Sequence, residues 1–332
     1  MMKKILILGG TNFIGRNLVE TLSLTNDFEI HLFNRQRTQV DLFPNLSRIK
    51  GDRATEDTKQ LSAQEWDYVV DLSCYYPHHL TNVLKYIGDV RRYIYISSCS
   101  VYDNRQNQSI AREESSAILD CTTEEAIDTS NASYGNRKAE CERILGRSGL
   151  NHLILRPALV FGQYDPTDRF YYWLHQVYSE NELLLPEGGK GIFSTTYVHD
   201  LVAAILLGLQ SNKAQATYNI ISQTKTSISQ ILELGMEALQ KSPDIYSCSA
   251  EFLHQNKLKP WLDIPLWLEE DFYTYSGEAI KSALGLELKE FHLSFAETLK
   301  YYQDLQWPKP SYGIPNEKRL ALVKKWKAQH PK

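Results

Sequence analysis

Apolar residues in the first half of the chain come in two alternating patterns: short unbroken runs, and longer stretches in which they recur every three or four positions. Ile5-Leu6-Ile7-Leu8 is such a run; Gly9-Gly10 follows, and then Phe13, Ile14, Leu18, Val19 and Leu22 at helical spacing. This predicts strand, tight turn, helix. Phe28–Phe33 reads as a second strand, Arg48–Lys50 as a third, Tyr68–Leu72 as a fourth and Arg92–Ile96 as a fifth, with a helix over Leu80–Ile87. A helix over Ser133–Leu145 and a strand over His152–Leu155 follow. Strands that alternate with helices pair in parallel, so the expected fold class is α/β, a doubly wound parallel sheet with ligands at the carboxyl ends of its strands. Residues 103–130, with Asn104, Arg105, Asn107, Gln108 and Glu113-Glu114, are polar and read as a surface excursion with one helical turn.

From Pro157 the pattern loosens, and prolines 157, 166, 186, 260, 265, 308 and 310 break the remainder into short helices and irregular segments. The expected division is a dinucleotide-type domain over 1–156 and a smaller, mixed substrate domain over 157–332. A strand over Thr217–Ile221 is expected to rejoin the main sheet. Tyr197-Val198-His199-Asp200 leads into an apolar helix, Leu201–Leu209, and Leu258–Glu270 is proline-punctuated and carries Trp261 and Trp267. The tail, Glu317–Lys332, reads as a basic helix packing Leu320, Val323 and Trp326 inward.

Composition narrows the partners. With 332 residues, 42% of them hydrophobic, the chain is long enough for one large or two modest domains with a real core. A formal charge of −4 gives no electrostatic reason to expect nucleic acid or an acidic membrane. Five cysteines, at 74, 99, 121, 141 and 248, form no C-x-x-C pair and are odd in number, which fits reduced thiols in a cytoplasm. The apolar run ending at Leu8 is too short for a signal peptide, and Leu201–Leu209 is too short to span a bilayer. The expectation is a cytoplasmic monomer or homodimer acting on a small molecule.

Three stretches carry candidate chemistry. The first is Gly9-Gly10-Thr11-Asn12-Phe13-Ile14-Gly15: a turn between strand and helix points backbone N–H groups and the positive end of the helix dipole at one place, which suits a pyrophosphate. Asn12 stands where such a loop usually has its middle glycine, and asparagine tolerates a left-handed backbone. The competing reading is an ordinary buried strand–helix turn. The second is Tyr134-Gly135-Asn136-Arg137-Lys138, where the tyrosine and lysine share a helix face and the ammonium favours the phenolate. A surface tyrosine and a solvated lysine would show the same spacing. The third is Ser97-Ser98-Cys99-Ser100-Val101-Tyr102 at the end of the fifth strand, hydroxyls suited to a substrate oxygen or to a helix cap. His78 and His79 are adjacent rather than at ligand spacing and His199 fits a helix start, so no metal is expected.

With these three in order, the chain resembles the extended short-chain dehydrogenase/reductase family, of the sugar-nucleotide epimerase and dehydratase type and Rossmann-like fold. The resemblance also rests on Gly51-Asp52-Arg53, Leu155-Arg156-Pro157-Ala158-Leu159-Val160-Phe161-Gly162 and Tyr197-Val198-His199-Asp200-Leu201. A narrower likeness is to bacterial proteins of reductase or epimerase type that share stretches like Tyr164-Asp165-Pro166-Thr167-Asp168-Arg169-Phe170 and Pro260-Trp261. It implies Tyr134 as acid/base, Lys138 as its tuner and cofactor-ribose ligand, and Ser98 as partner of the substrate oxygen, with Ser100 and Cys99 near enough to exchange that role. It further implies cofactor contacts at Gly9, Thr11, Asn12, Phe13, Ile14, Gly15 and Arg53, with Asp52 at the adenine, Leu72 and Ser73 lining the cofactor and Pro157 by the nicotinamide.

NAD-specific members place an acid at the end of the second strand; here it is Asn34, followed by Arg35 and Arg37, and a guanidinium suits a 2′-phosphate. NADP(H) is therefore expected over NAD(H). Tyr75, Ser100 and Arg169 are the candidate substrate contacts, the competing reading for Arg169 being a salt bridge to Asp165 or Asp168. The remaining aromatics near this region, Tyr76, Tyr164, Trp173, Trp261 and Trp267, line a pocket or pack a core. A rival class is a relative that keeps the fold and the cofactor but no longer catalyses, acting as an RNA-binding or regulatory protein.

Overall fold

The computed structural model describes residues 2–103, 111–211, 213, 215–269 and 272–330. Asn104, Arg105, Asn107 and Gln108 of the expected excursion, Glu270 and the end of the tail at Lys332 lie outside the described residues. The chain divides into two compact units, the first comprising 1–160, 196–222 and 275–288, the second 161–195, 223–274 and 289–332.

The first unit is built on strands β1 (Lys3–Leu8), β2 (Phe28–Asn34), β3 (Ser47–Lys50), β4 (Tyr68–Asp71), β5 (Arg92–Ile96) and β6 (His152–Pro157), with helices α1 (Phe13–Ser23), α2 (Pro77–Leu84), α3 (Thr123–Ile127) and α4 (Tyr134–Arg147) between them. A seventh strand, Ala216–Ile220, lies at one edge, and the order from that edge is Ala216–Ile220, β6, β5, β4, β1, β2, β3. Every pair is parallel. Parallel strands covered on both faces need apolar residues at successive positions, which is why they read as unbroken runs. Ile5 and Ile7 face a core shared with Leu18, Val19 and Leu22 of α1 and with Leu201 and Ile205 of the helix Val198–Gln210. Leu6 and Leu8 face the other core, with Leu80 and Val83 of α2 and Cys141 and Leu145 of α4. The sheet is thus wound on both faces. It switches direction between β1 and β4, whose ends are level because Leu8 pairs with both Phe33 and Asp71.

Residues 196–222, which carry the strand expected to rejoin the sheet, and 275–288 fall in this unit. Two expectations are corrected in it. The helix expected over Leu80–Ile87 starts at Pro77, where a missing N–H costs nothing in a first turn. Residues 111–119 are no mere surface excursion: Arg112 is buried, its carbonyl accepts from Asn219 Nδ2, and Glu114 accepts from the Asn219 backbone N–H.

The second unit is more regular than its prolines suggest. It holds helices Arg169–Ser179, Ile228–Leu239 and Phe291–Asp304, and a parallel pair of strands, Glu182–Pro186 with Asp244–Cys248. Its last helix, Asn316–Gln329, buries Val323 and half-buries Trp326 as expected, but Leu322 is buried in place of Leu320, which is 43% exposed. Buried Arg319 claims that face, its guanidinium donating to Glu180 Oε2 and the Glu182 carbonyl. No helix among the described residues is long and apolar enough to cross a membrane. The five cysteines are free thiols.

Candidate active site

The glycine loop leaves β1 with Gly9 at φ 120° and Gly10 at φ 92°, values L side chains rarely adopt. A Cβ on Gly10 would lie 2.8 Å from Leu32 Cδ2, and one on Gly15 2.6 Å from the Gly10 nitrogen. The third glycine therefore lets α1 pack against the turn, as a pyrophosphate cradle requires. Asn12 does not do what was expected of it. Its backbone is extended, φ −134°, and it caps α1, its Oδ1 accepting from the Phe13 N–H at 3.0 Å. The positive φ falls on Phe13 instead. The first turn of α1 carries no acidic side chain, so its dipole end is unopposed.

At the neighbouring strand ends, Asn34 donates to the Gly9 carbonyl at 3.2 Å and accepts from the Gln36 N–H at 3.0 Å, tying the end of β2 to the loop. Arg35 and Arg37 are exposed and have no ion-pair partner among the described residues. Asp52 Oδ1 accepts from the Ala54 N–H, and Ser73 Oγ donates to the Leu8 carbonyl at 3.1 Å, beside the half-buried Leu72. Arg53 is paired with a neighbouring acid. Its guanidinium is buried and bidentate on Asp71, both contacts 2.6 Å, and Tyr93 OH donates to the same carboxylate at 2.7 Å. Burial alone would raise the Asp71 carboxyl, but Arg53 and the Tyr93 hydroxyl hold it below the usual range.

Lys138 is 3% exposed, and its ammonium donates to the Cys74 carbonyl at 2.8 Å and the Ile96 carbonyl at 2.7 Å. It therefore sits at the carboxyl ends of β4 and β5, above the Tyr95 ring and beside that of Tyr75. Tyr134 stands one turn back on the same helix, half-exposed, with its ring 6.3 Å from that of Tyr75. Gly135 explains how α4 reaches the serine turn: a Cβ there would lie 2.1 Å from the Ser100 carbonyl oxygen. Ser98 caps that turn, accepting from the Ser100 N–H at 3.1 Å and donating to Ser100 Oγ at 3.0 Å. Pro157 ends β6, paired with Ile220.

Sequence reasoning missed the buried charges around this arrangement. Arg156 pairs with Glu142 of α4 at 2.5 and 2.9 Å and donates to Tyr102 OH, which donates to Asn219 Oδ1 at 2.6 Å. Arg137, 3% exposed, hydrogen-bonds the carbonyls of Tyr75, Asp128 and Ser130. Their signal was in α4 itself: Lys138, Cys141, Glu142 and Leu145 recur at helical spacing on the buried face, so charges there must have partners.

In the second unit, Arg169 lies over the Trp261 ring, 5.6 Å from its centroid, with its Nε buried and unpartnered. The salt bridge weighed as its alternative does not form; Asp165 accepts from Thr167, and Asp168 from Ser311. Trp173 and Trp267 are core, whereas Trp261 is half-buried. Among the described residues no cluster of His, Cys, Asp and Glu is placed to hold a metal ion.

The sequence profile of the NAD dependent epimerase/dehydratase family matches residues 5–221. A curated relative, the chloroplast stem-loop binding protein of 41 kDa b from Arabidopsis thaliana, is 29% identical over 240 residues, which cover 67% of this chain and 59% of that protein. The chain thus spans less than two thirds of that relative's length. Among solved structures, the Bordetella bronchiseptica enzyme WbmG in complex with NAD and UDP is similar with a TM-score of 0.73 and 18% identity, over 95% of this chain and 100% of that one. UDP-glucuronic acid 4-epimerase from Bacillus cereus in complex with NAD is similar with a TM-score of 0.71 and 18% identity, over 92% and 98%. UDP-glucose 4-epimerase from Thermotoga maritima with UDP-glucose has a TM-score of 0.68 and 20% identity, over 91% and 99%.

Proposed function

The chain belongs to the NAD dependent epimerase/dehydratase family, and from that premise we propose that it is a nicotinamide-dependent epimerase or reductase acting at a hydroxyl or keto carbon of a sugar nucleotide. The observation that carries this reading is the Lys138 ammonium gripped by carbonyls at two strand ends, with Tyr134 one turn away on the same helix. A dinucleotide fits the first unit: the glycine loop has no side chains where the backbone must approach a diphosphate, and no acid opposes the α1 dipole. When bound, the nicotinamide supplies the hydride acceptor and donor.

Tyr134 accepts the proton of the substrate hydroxyl when the carbon is oxidised and returns it on reduction. Lys138 stabilises the phenolate and donates to the cofactor ribose. Ser98, its oxygen held by the Ser100 N–H, turns its hydroxyl hydrogen from Ser100 Oγ to the substrate oxygen. Thr11, Phe13 and Ile14 line the cofactor with Gly9, Asn12 and Gly15; Asp52 meets the adenine, Leu72 and Ser73 its flank, and Pro157 the nicotinamide. Arg53 supports that site from beneath through Asp71. Asn34, engaged with Gly9, places no carboxylate at the ribose, and exposed Arg35 and Arg37 favour NADP(H) over NAD(H). Tyr75 and Ser100 contact the substrate; Arg169, in the second unit, is a separate candidate contact.

The test is Tyr134→Phe, assayed for conversion of UDP- and dTDP-hexoses with NAD(H) and NADP(H). Turnover should fall by about 10²–10⁴-fold with cofactor affinity unchanged; an unaltered rate would sink the mechanism. The name of the curated relative motivates a second assay. A steeply salt-dependent RNA affinity, with every sugar nucleotide untouched, would favour the binding-protein reading instead.

A further inference from the structure

We propose that Arg137 is a positioning residue, whose guanidinium sets the Tyr134 and Tyr75 side chains around the Lys138 ammonium. The proposal rests on the reading of Tyr134 as acid/base. Two consecutive residues of α4 grip two consecutive carbonyls of the loop after β4: Lys138 Nζ donates to Cys74 O at 2.8 Å, and Arg137 Nε donates to Tyr75 O at 3.2 Å. The other end of the same guanidinium turns to the segment that leads into α4. Nη1 donates to the carbonyls of Asp128 and Ser130, and Nη2 to Ser130 O at 3.1 Å. The Tyr76 ring lies under it, 4.9 Å from Cζ.

The start of α4 needs this support. Its N-cap residue, Ser133, makes no side-chain capping bond; its hydroxyl donates instead to Asp128 Oδ2 at 2.6 Å. The first helical residue, Tyr134, hangs from that lead-in, its N–H donating to Asn131 O at 3.2 Å. One side chain therefore joins the lead-in of the Tyr134 helix to the loop that carries Tyr75, a residue 47% exposed. The charge of Arg137 has no carboxylate within 4 Å among the described residues; carbonyls and a ring satisfy it. A planar fork that donates in two directions at once is what the place requires, and an ammonium on a flexible stem does not supply it.

The test uses the full chain with NADP(H) bound, in Arg137→Gln and Arg137→Lys. Nitration of individual tyrosines by tetranitromethane and amide hydrogen exchange are both read by mass spectrometry. Both variants should nitrate Tyr134 and Tyr75 about fivefold faster and exchange amides over 74–76 and 129–136 about tenfold faster, since local opening is governed by local contacts. Tyr178, 41% exposed in the second unit, should nitrate at the wild-type rate. Wild-type values in Arg137→Lys would mean that charge alone suffices and would overturn the proposal, as would unchanged labelling in Arg137→Gln or equal acceleration at Tyr178. Should neither variant fold, Tyr76→Leu removes the ring beneath the guanidinium, along with its contacts to His78 and His79, and leaves Arg137 itself in place. It should accelerate the same two tyrosines about twofold, cation–ring contacts being weaker than the bonds above; no change overturns the proposal. These labels need no turnover, so a wild-type chain inactive on every sugar nucleotide would refute the catalytic reading separately.

Discussion

Two buried carboxylates, one in each unit, have been given opposite environments. Asp71 at the end of β4 is 0% exposed and holds Arg53 bidentate, and its carboxyl lies below the ordinary range despite burial. Asp165 is 7% exposed, and burial raises it to about 6; the hydrogen bonds from Thr167 and the charge of Arg169 offset only part of that. Arg169 is near enough in sequence to pair with it, yet lies over Trp261. In the first unit the buried cations Arg53 and Arg156 are committed to acids, and Arg137 and Lys138 to carbonyls, so their charge holds the frame. In the second, Arg319 is likewise paired with Glu180, but Arg169 makes no ion pair or hydrogen bond among the described residues. Cations already paired shape a site; cations left unpaired are available to a ligand.

The sharpest way to break this comparison is to remove Asp71. Asp71→Ala strands the Arg53 charge inside the sheet edge and should cost about 3–5 kcal/mol in urea unfolding. Asp71→Asn keeps an acceptor and should cost less. A loss below about 1 kcal/mol for Asp71→Ala would mean that Arg53 finds water or another partner, and the frame is softer than its distances imply.

The two carboxylates also predict opposite responses to pH. Asp71 has a depressed pKa, so its contribution is present above the unfolded value of about 3.9 and is lost as pH falls below it. Asp165 has a raised pKa, so its contribution is full below about 3.9 and is lost as pH rises through about 6. For Asp165 the loss is of order 1–3 kcal/mol, since each tenfold change in proton affinity is worth about 1.4 kcal/mol. Unfolding free energies measured from pH 4 to 8 should therefore fall less steeply across pH 4–6 in Asp165→Asn than in wild type, because the amide keeps the acceptor for Thr167 and never ionises. Parallel curves would show that Asp165 is solvated.

The same contrast explains what was legible in the sequence. Sheet strands buried on both faces must be apolar throughout, so Ile5–Leu8, Tyr68–Val70 and Tyr93–Ile96 announced themselves. The strand–turn–helix at the glycine loop and the shared helix of Tyr134 and Lys138 were legible because both are set by local spacing. Buried polar strands were not: Ser194, Thr195 and Thr196 are fully buried in the strand Ile192–Tyr197, where Ser194 Oγ donates to Thr224 O. Only the tertiary partner makes such a run acceptable in a core. Leu183-Leu184-Leu185 failed for a different reason, leucine being as good in a helix as in a strand. The role of Asn12 was hidden likewise, since a cap is defined by the backbone of its neighbour, and Phe13 took the positive φ that was expected of the asparagine.

The smallest stability effect in the molecule should accompany one of its more informative binding effects. Arg35 and Arg37 are exposed, with no ion-pair partner among the described residues, so Arg35→Ala and Arg37→Ala should each leave the unfolding free energy within about 0.5 kcal/mol of wild type. If they hold a 2′-phosphate, losing a charge-assisted bond should weaken NADP(H) by about 1.5–3 kcal/mol, roughly tenfold to a hundredfold, while NAD(H) affinity hardly moves. Asn34→Asp is the complementary change: it places a carboxylate where the ribose 2′-hydroxyl would lie but keeps an acceptor for the Gln36 N–H, and should shift preference toward NAD(H). Titration of both cofactors against all three variants separates the cases. Equal loss of both cofactors in Arg35→Ala would mean that the arginine serves the shared diphosphate, and wild-type preference for NAD(H) would mean that Asn34 has lost its acid without gaining a phosphate.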